Sequence, residues 1–135
     1  MTSTIELLRP SGLVQSPAFS HVAVISPEAT QIIVGGQNGV DAEGRLVGAD
    51  DVVAQVDQTM ANLQTALGAA GATLADLVSL TVLLVEGVDI RAGYTAAARR
   101  LPAGDGAPLV TAAIVSALGV PGALVEVAAV AAVVR

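Results

Sequence analysis

The chain has 135 residues, with six basic and twelve acidic side chains for a net charge of −6, no cysteine, no Trp, one Phe and one Tyr. Its length suits a single domain, residues 1–135, with one core. The missing cysteine removes disulfides, thiolate nucleophiles and thiolate metal sites. The acidic balance, without a basic run or aromatic surface for stacking bases, argues against a nucleic-acid partner.

Hydrophobic residues make up 53% of the chain, so the core must be built from Val, Leu, Ile and Ala. Such a core buries less area per residue than an aromatic one, and small domains of this kind gain further burial by oligomerising. Residues 1–6 contain no basic segment leading into an apolar stretch, so no secretory signal is expected and the cytoplasm is the default location.

Residues 21–26 read as a strand on the β-branched Val22, Val24 and Ile25, residues 27–30 as a turn, and residues 31–34 as the returning strand, which ends at Gly35-Gly36. Asn38-Gly39 and residues 41–44 carry turn chemistry. Asp50 or Asp51 then caps a long helix. Val52, Val53, Val56, Met60, Leu63 and Leu67 recur at steps of three and four along one face of it. Gln55, Gln58, Asn62 and Gln64 fall mostly off that face, and Gly71 is its C-terminal cap.

A strand over residues 78–85 follows, then a second helix over residues 89–101 and a loop over 102–106. Residues 109–117 and 123–133 are the last two strands. The order predicts an α+β fold, a mixed sheet with two helices on one face.

Twenty uncharged residues separate Asp105 from Glu126, long enough for a membrane span. Gly119-Val120-Pro121-Gly122 reads as a turn that divides the run into two strands, so no membrane partner is expected. Apart from Glu126, the final strand is apolar on both faces. A strand of that kind needs cover on both sides, one from the helices and the other from a partner subunit.

Several segments together carry a family resemblance. They are Ser16-Pro17-Ala18-Phe19-Ser20-His21, Ile32-Ile33-Val34-Gly35-Gly36-Gln37, the helix from Gln55 to Gly71, Asp76-Leu77-Val78-Ser79-Leu80-Thr81-Val82, and Leu124-Val125-Glu126-Val127. In order and spacing they resemble the Rid/YjgF family of reactive enamine/imine deaminases over nearly the whole chain. The resemblance implies a chorismate-mutase-like homotrimer around a central barrel, with small-molecule clefts between subunits and no cofactor. Phe19 would be the cleft aromatic, Gly35 and Gly36 the cleft backbone, and Glu126 the cleft acid. Tyr94 resembles a cleft asparagine of the second helix. In the deaminase branch an arginine after a proline binds the substrate carboxylate. Here the segment is Pro108-Leu109-Val110-Thr111-Ala112, and Val110 stands at the arginine position.

Glu126 among Leu124, Val125 and Val127 is costly to bury unless it is paired, which favours a cleft acid over a strand-edge glutamate facing solvent. Gly35 and Gly36 either let a backbone approach a ligand or simply make a turn. His21 is the lone histidine and has no metal-ligand partners, and its neighbour Ser20 points to the opposite side of a strand, so neither a metal site nor a triad is expected. Asp50 and Asp51 suit a helix N-terminus better than a catalytic pair. Arg99 and Arg100 complement a helix C-terminus, unless one of them reaches the cleft in place of the missing arginine.

Two functions remain open. One is a hydrolase of imines, enamines or related reactive molecules, with Glu126 and backbone groups handling water. The other is a non-catalytic trimer that holds a small, mostly apolar metabolite or contacts another protein. Endoribonuclease activity has little support, because the acidic charge and lone His21 offer neither phosphate binding nor an acid/base pair.

Overall fold

A computed structural model describes residues 4–135. Residues 1–3, part of the stretch read as lacking a leader, lie outside the described residues. The elements are β1 (Ile5–Leu8), β2 (Val22–Ile25), β3 (Thr30–Gln37), α1 (Val52–Ala69), β4 (Leu77–Val85), α2 (Ile90–Ala98), β5 (Leu109–Val115) and β6 (Val125–Val133). Short 3-10 turns precede β4 and β5.

Four strands form a mixed sheet in the order β3-β6-β4-β5, with β4 and β5 parallel and the other pairs antiparallel. Both helices pack on one face of it, as the sequence predicts. Register assigns the faces. The rows Val34–Ala129–Leu80–Val110, Val127–Val82–Ala112 and Val125–Leu84–Ile114 lie on the helix side. Val56, Met60, Leu63 and Leu67 of α1 and Ala96 of α2 complete that core. The rows Ile33–Val130–Ser79, Ala128–Thr81–Thr111 and Glu126–Leu83–Ala113 lie on the other side, which carries no helix. Ile33 on that side is 78% exposed.

The N-terminal strands differ from the sequence reading. β2 does not return into β3. It pairs antiparallel with β1, Leu8 opposite Val22, as a separate two-stranded sheet, while β3 pairs with β6. The turn at residues 27–30 therefore changes direction without making a hairpin. The longer β3 buries Val34 by joining β6, and that non-local pairing prevails over the local one. The four residues of β1 are too few to show a period, and the turn chemistry of Pro10-Ser11-Gly12 sits in a long connection, residues 9–21, that does not read as a hairpin.

The helix caps follow local chemistry. Asp51 accepts from the Ala54 N–H at 3.0 Å, while Asp50 takes a left-handed conformation just before it. Gly71, with φ +77°, ends the α1 turn, and the Ala72 N–H reaches back to the Leu67 carbonyl. Asp89 caps α2 through the Ala92 N–H, and Arg99 follows its last turn, so α2 is shorter than expected. Gln55 departs from its predicted place. It is 0% exposed, because its amide donates to the carbonyls of Gly48 and Gly122 and accepts from the Leu124 N–H.

The long uncharged run divides into β5, a turn with Gly122 at φ +80°, and β6. Among the described residues no helix is long and apolar enough to cross a membrane.

Candidate functional site

Between α2, α1 and the helix-side rows of β4, β5 and β6 lies a cavity of about 200 Å³. Val56, Thr59 and Met60 form its floor. Leu80, Val82, Val110 and Ala112 form the sheet wall, and Ile90, Gly93, Tyr94 and Ala97 the helix wall. Ala18, Pro102 and Ala103 close one end. The void follows from residue size: the lining residues Ala97 of α2 and Ala112 of β5 are both small, so side chains from the two layers do not fill the space between them.

No charged side chain lines the cavity. Thr59 and Tyr94 supply the hydroxyls, and the Thr59 hydroxyl donates to the Gln55 carbonyl at 2.7 Å. Tyr94 is 57% exposed and stands at the rim. Val110, 40% exposed, lies on the opposite wall.

A second constellation sits on the helix-free face. Glu126 is half-buried on β6, an interior strand. The Asn38 amide lies 3.4 Å from its carboxylate and donates to the Val125 carbonyl at 3.0 Å. Asn62 holds the Asn38 loop by donating to the carbonyls of Asn38 and Val40. The pairing of β3 with β6 shifts register between Val34 and Gln37, a bulge that places Gly36 against Glu126. A Cβ on Gly36 would stand 2.6 Å from the Glu126 carboxylate oxygen, so this glycine makes room for the acid. Gly36→Ala should therefore displace the flexible Glu126 carboxylate at a stability cost within about 1 kcal/mol. Urea denaturation and a crystal structure of the variant would check both parts.

The sequence-derived candidates thus divide by face. Tyr94, Val110 and Ala112 meet at the cavity. Gly36 and Glu126 meet on the other side of the sheet, where the Thr111 position also lies, while Gly35 is exposed and open around its Cα. Phe19 is half-buried edge-on to His21, with ring centroids 5.3 Å apart, and its neighbour Ala18 is the residue that lines the cavity. Ser20 and His21 are both engaged with backbone. The Ser20 hydroxyl donates to the Ala107 carbonyl, and His21 Nε2 lies 2.7 Å from the Val14 carbonyl.

Arg100 donates to Gln64 at 3.0 Å and approaches Asp57, both on α1. Arg9 was not singled out by its sequence context. Its side chain is 20% exposed, donates to the Ser16 carbonyl and pairs with Asp105 at 2.5 Å. With the Gly104 N–H donating to the Pro17 carbonyl, it fastens the two segments that carry Ala18 and Ala103. Nothing local to an isolated arginine before Pro10 signals that contact. Among the described residues no group of three or more His, Asp or Glu could hold a metal ion.

The family model described as Endoribonuclease L-PSP matches residues 13–133. A comparison with curated proteins finds no match. Among solved structures, the chain is similar to YyfB of Yersinia pestis, a protein of unknown function in the Rid family, at 28% identity and TM-score 0.76, covering 96% of this chain and 98% of that one. It is similar to Rv2704 of Mycobacterium tuberculosis, of the YjgF/YER057c/UK114 family, at 28% identity and TM-score 0.64, covering 96% and 100%. It is also similar to RidA from an Antarctic Psychrobacter, at 26% identity and TM-score 0.68, covering 89% and 98%. Two helices on a mixed sheet, the bulge at Gly36 beside Glu126 and a family match over nearly the full length agree, and the chain belongs to the Rid/YjgF family, which the matching model describes as Endoribonuclease L-PSP.

Proposed function

We propose that the chain works as a homotrimer whose small-molecule clefts lie between subunits and take uncharged ligands rather than 2-imino acids. The observation that carries this reading is the charge-free cavity with Val110 on its wall. A carboxylate placed there would lose its hydration without gaining a partner. The helix-free face supports the trimer: its exposed Ile33 and the small residues Ala113 and Ala128 suit close packing against another copy. That packing would bring the Glu126 side of one copy towards the cavity side of its neighbour.

The chemistry that fits is hydrolysis of a reactive imine or enamine. Water adds to the imine carbon while the Glu126 carboxylate accepts its proton. The proton then passes to nitrogen to give a carbinolamine, whose hydroxyl proton also moves to nitrogen as the C–N bond breaks, and a carbonyl compound and ammonia leave. A second reading, a non-catalytic binding module, is supported by the neighbour of Glu126, the amide of Asn38, which cannot share a proton-relay role. Ammonia release from freshly generated neutral imines separates the two, being present for the hydrolase and absent for the module.

Sedimentation should give three times the 13.3 kDa chain mass. Ala128→Phe, in the middle of the open face, should overpack that interface at a cost of about 1–3 kcal/mol and shift the mass towards monomer. A wild-type monomer at micromolar concentration would remove the intersubunit cleft. RNA binding should be weak and without steep salt dependence, given the net charge of −6. A filter-binding titration at two salt concentrations checks this.

A further inference from the structure

We infer that the helix-side cavity holds a neutral aromatic compound, one ring with a short substituent or a fused pair of rings, with its single polar atom at the Tyr94 hydroxyl. This deepens the proposed preference for uncharged ligands and rests on it.

Size comes first. The cavity measures about 200 Å³. An apolar protein cavity of roughly 150 Å³ stays dry and admits benzene, so this one takes a ring with a little more attached. Shape agrees, because the lining residues Ala97 of α2 and Ala112 of β5 are both small and leave room for a flat body between the helix and sheet layers.

Chemistry then narrows the class. The lining has no charge to meet an ion, so a carboxylate or ammonium would enter at the cost of its hydration. Met60, almost wholly buried, presents its side chain to the cavity floor, and a thioether favours aromatic over saturated neighbours. The chain itself has one Phe and one Tyr, so its own core supplies almost no rings to fill such a slot.

Polarity fixes the orientation. The Thr59 hydroxyl proton is already spent on the Gln55 carbonyl. The Tyr94 hydroxyl, among the described residues, has no hydrogen-bond partner and stands at the rim. A ligand acceptor such as a hydroxyl, ether or carbonyl oxygen therefore belongs at the mouth, with the ring inward over Met60.

The test uses four probes that share one carbon skeleton: benzyl alcohol, benzoate, benzylammonium and cyclohexylmethanol. Each is titrated into the intact protein and followed by backbone amide chemical shifts. Benzyl alcohol should bind saturably, with a dissociation constant on the order of 0.1–1 mM. Benzoate and benzylammonium should bind at least about tenfold more weakly, and cyclohexylmethanol measurably more weakly. Tyr94→Phe should raise the benzyl alcohol constant about threefold to tenfold, the loss of one neutral hydrogen bond. Ala97→Leu should fill the slot and abolish binding, and Ala112→Leu fills it from the sheet side should the helix variant fail to fold.

Failure of benzyl alcohol to saturate, or unchanged binding in a folded leucine variant, would overturn the inference while leaving the preference for uncharged imines to its own ammonia assay. Benzoate binding as tightly as benzyl alcohol would overturn both. Equal affinity for cyclohexylmethanol would overturn the aromatic assignment alone.

Discussion

Val110→Arg should raise ammonia release from 2-imino acids by a factor on the order of 100 or more over the wild type. A guanidinium grips a carboxylate through two parallel charge-assisted hydrogen bonds, worth roughly 1.5–3 kcal/mol each. Val110 offers neither a charge nor a donor. Its position suits the replacement, because the residue is 40% exposed on the cavity wall and a longer side chain can keep its head near water while reaching a ligand. The assay generates imino acids in place with an amino-acid oxidase and compares wild type, Val110→Arg, and the controls Arg99→Ala, Arg100→Ala and Arg9→Ala. Arg100 is held by Gln64 and Asp57, so its removal should leave turnover unchanged. Robust wild-type turnover that vanished in one arginine variant would mean that a displaced guanidinium serves the site. Activity confined to Val110→Arg would mean that Glu126 and its surroundings are competent and that a single position separates this chain from the deaminase branch.

Gln55→Leu should cost about 2–4 kcal/mol of stability, the largest effect of any single side chain considered. The two residues are similar in volume, so packing changes little. The loss is polar, since the Gly48 and Gly122 carbonyls and the Leu124 N–H each lose a partner in a region only partly open to water. Because those groups belong to the loop before α1 and the turn before β6, the variant should loosen both segments together. Urea denaturation followed by circular dichroism measures the shift, and a change below about 1 kcal/mol would mean that water replaces the amide without penalty.

The helices were legible because their signals are local. Asp51, the three-and-four spacing from Val56 to Leu67, and Gly71 each act within a turn or two of the chain. The division of the sheet into helix-side and open rows was not legible, because it needs the register of β6 against β3 and β4, which only the folded chain specifies. For the same reason Val110 and Glu126 could be named from the resemblance but not placed on opposite faces. Gln55 reads as a surface residue until its backbone partners, at positions 48, 122 and 124, come together around it. Ala18 lies in a turn and Phe19 follows it, and which of them lines the cavity is set by that turn and by Ser20 anchoring to Ala107 and Pro108. Those contacts lie far along the chain. Gly36 carried the strongest non-helical signal, since a paired glycine inside a strand pattern marks a bulge or a close approach, and here it marks both.

The central property of the Val110 cavity is a preference for uncharged over carboxylate-bearing ligands. Its most direct test is wild-type turnover of two imines with one skeleton, a 2-imino acid and the matching carboxamide, measured side by side as ammonia release at equal concentration. The carboxamide should be hydrolysed faster, by at least about tenfold in kcat/KM. Faster hydrolysis of the carboxylate would contradict it.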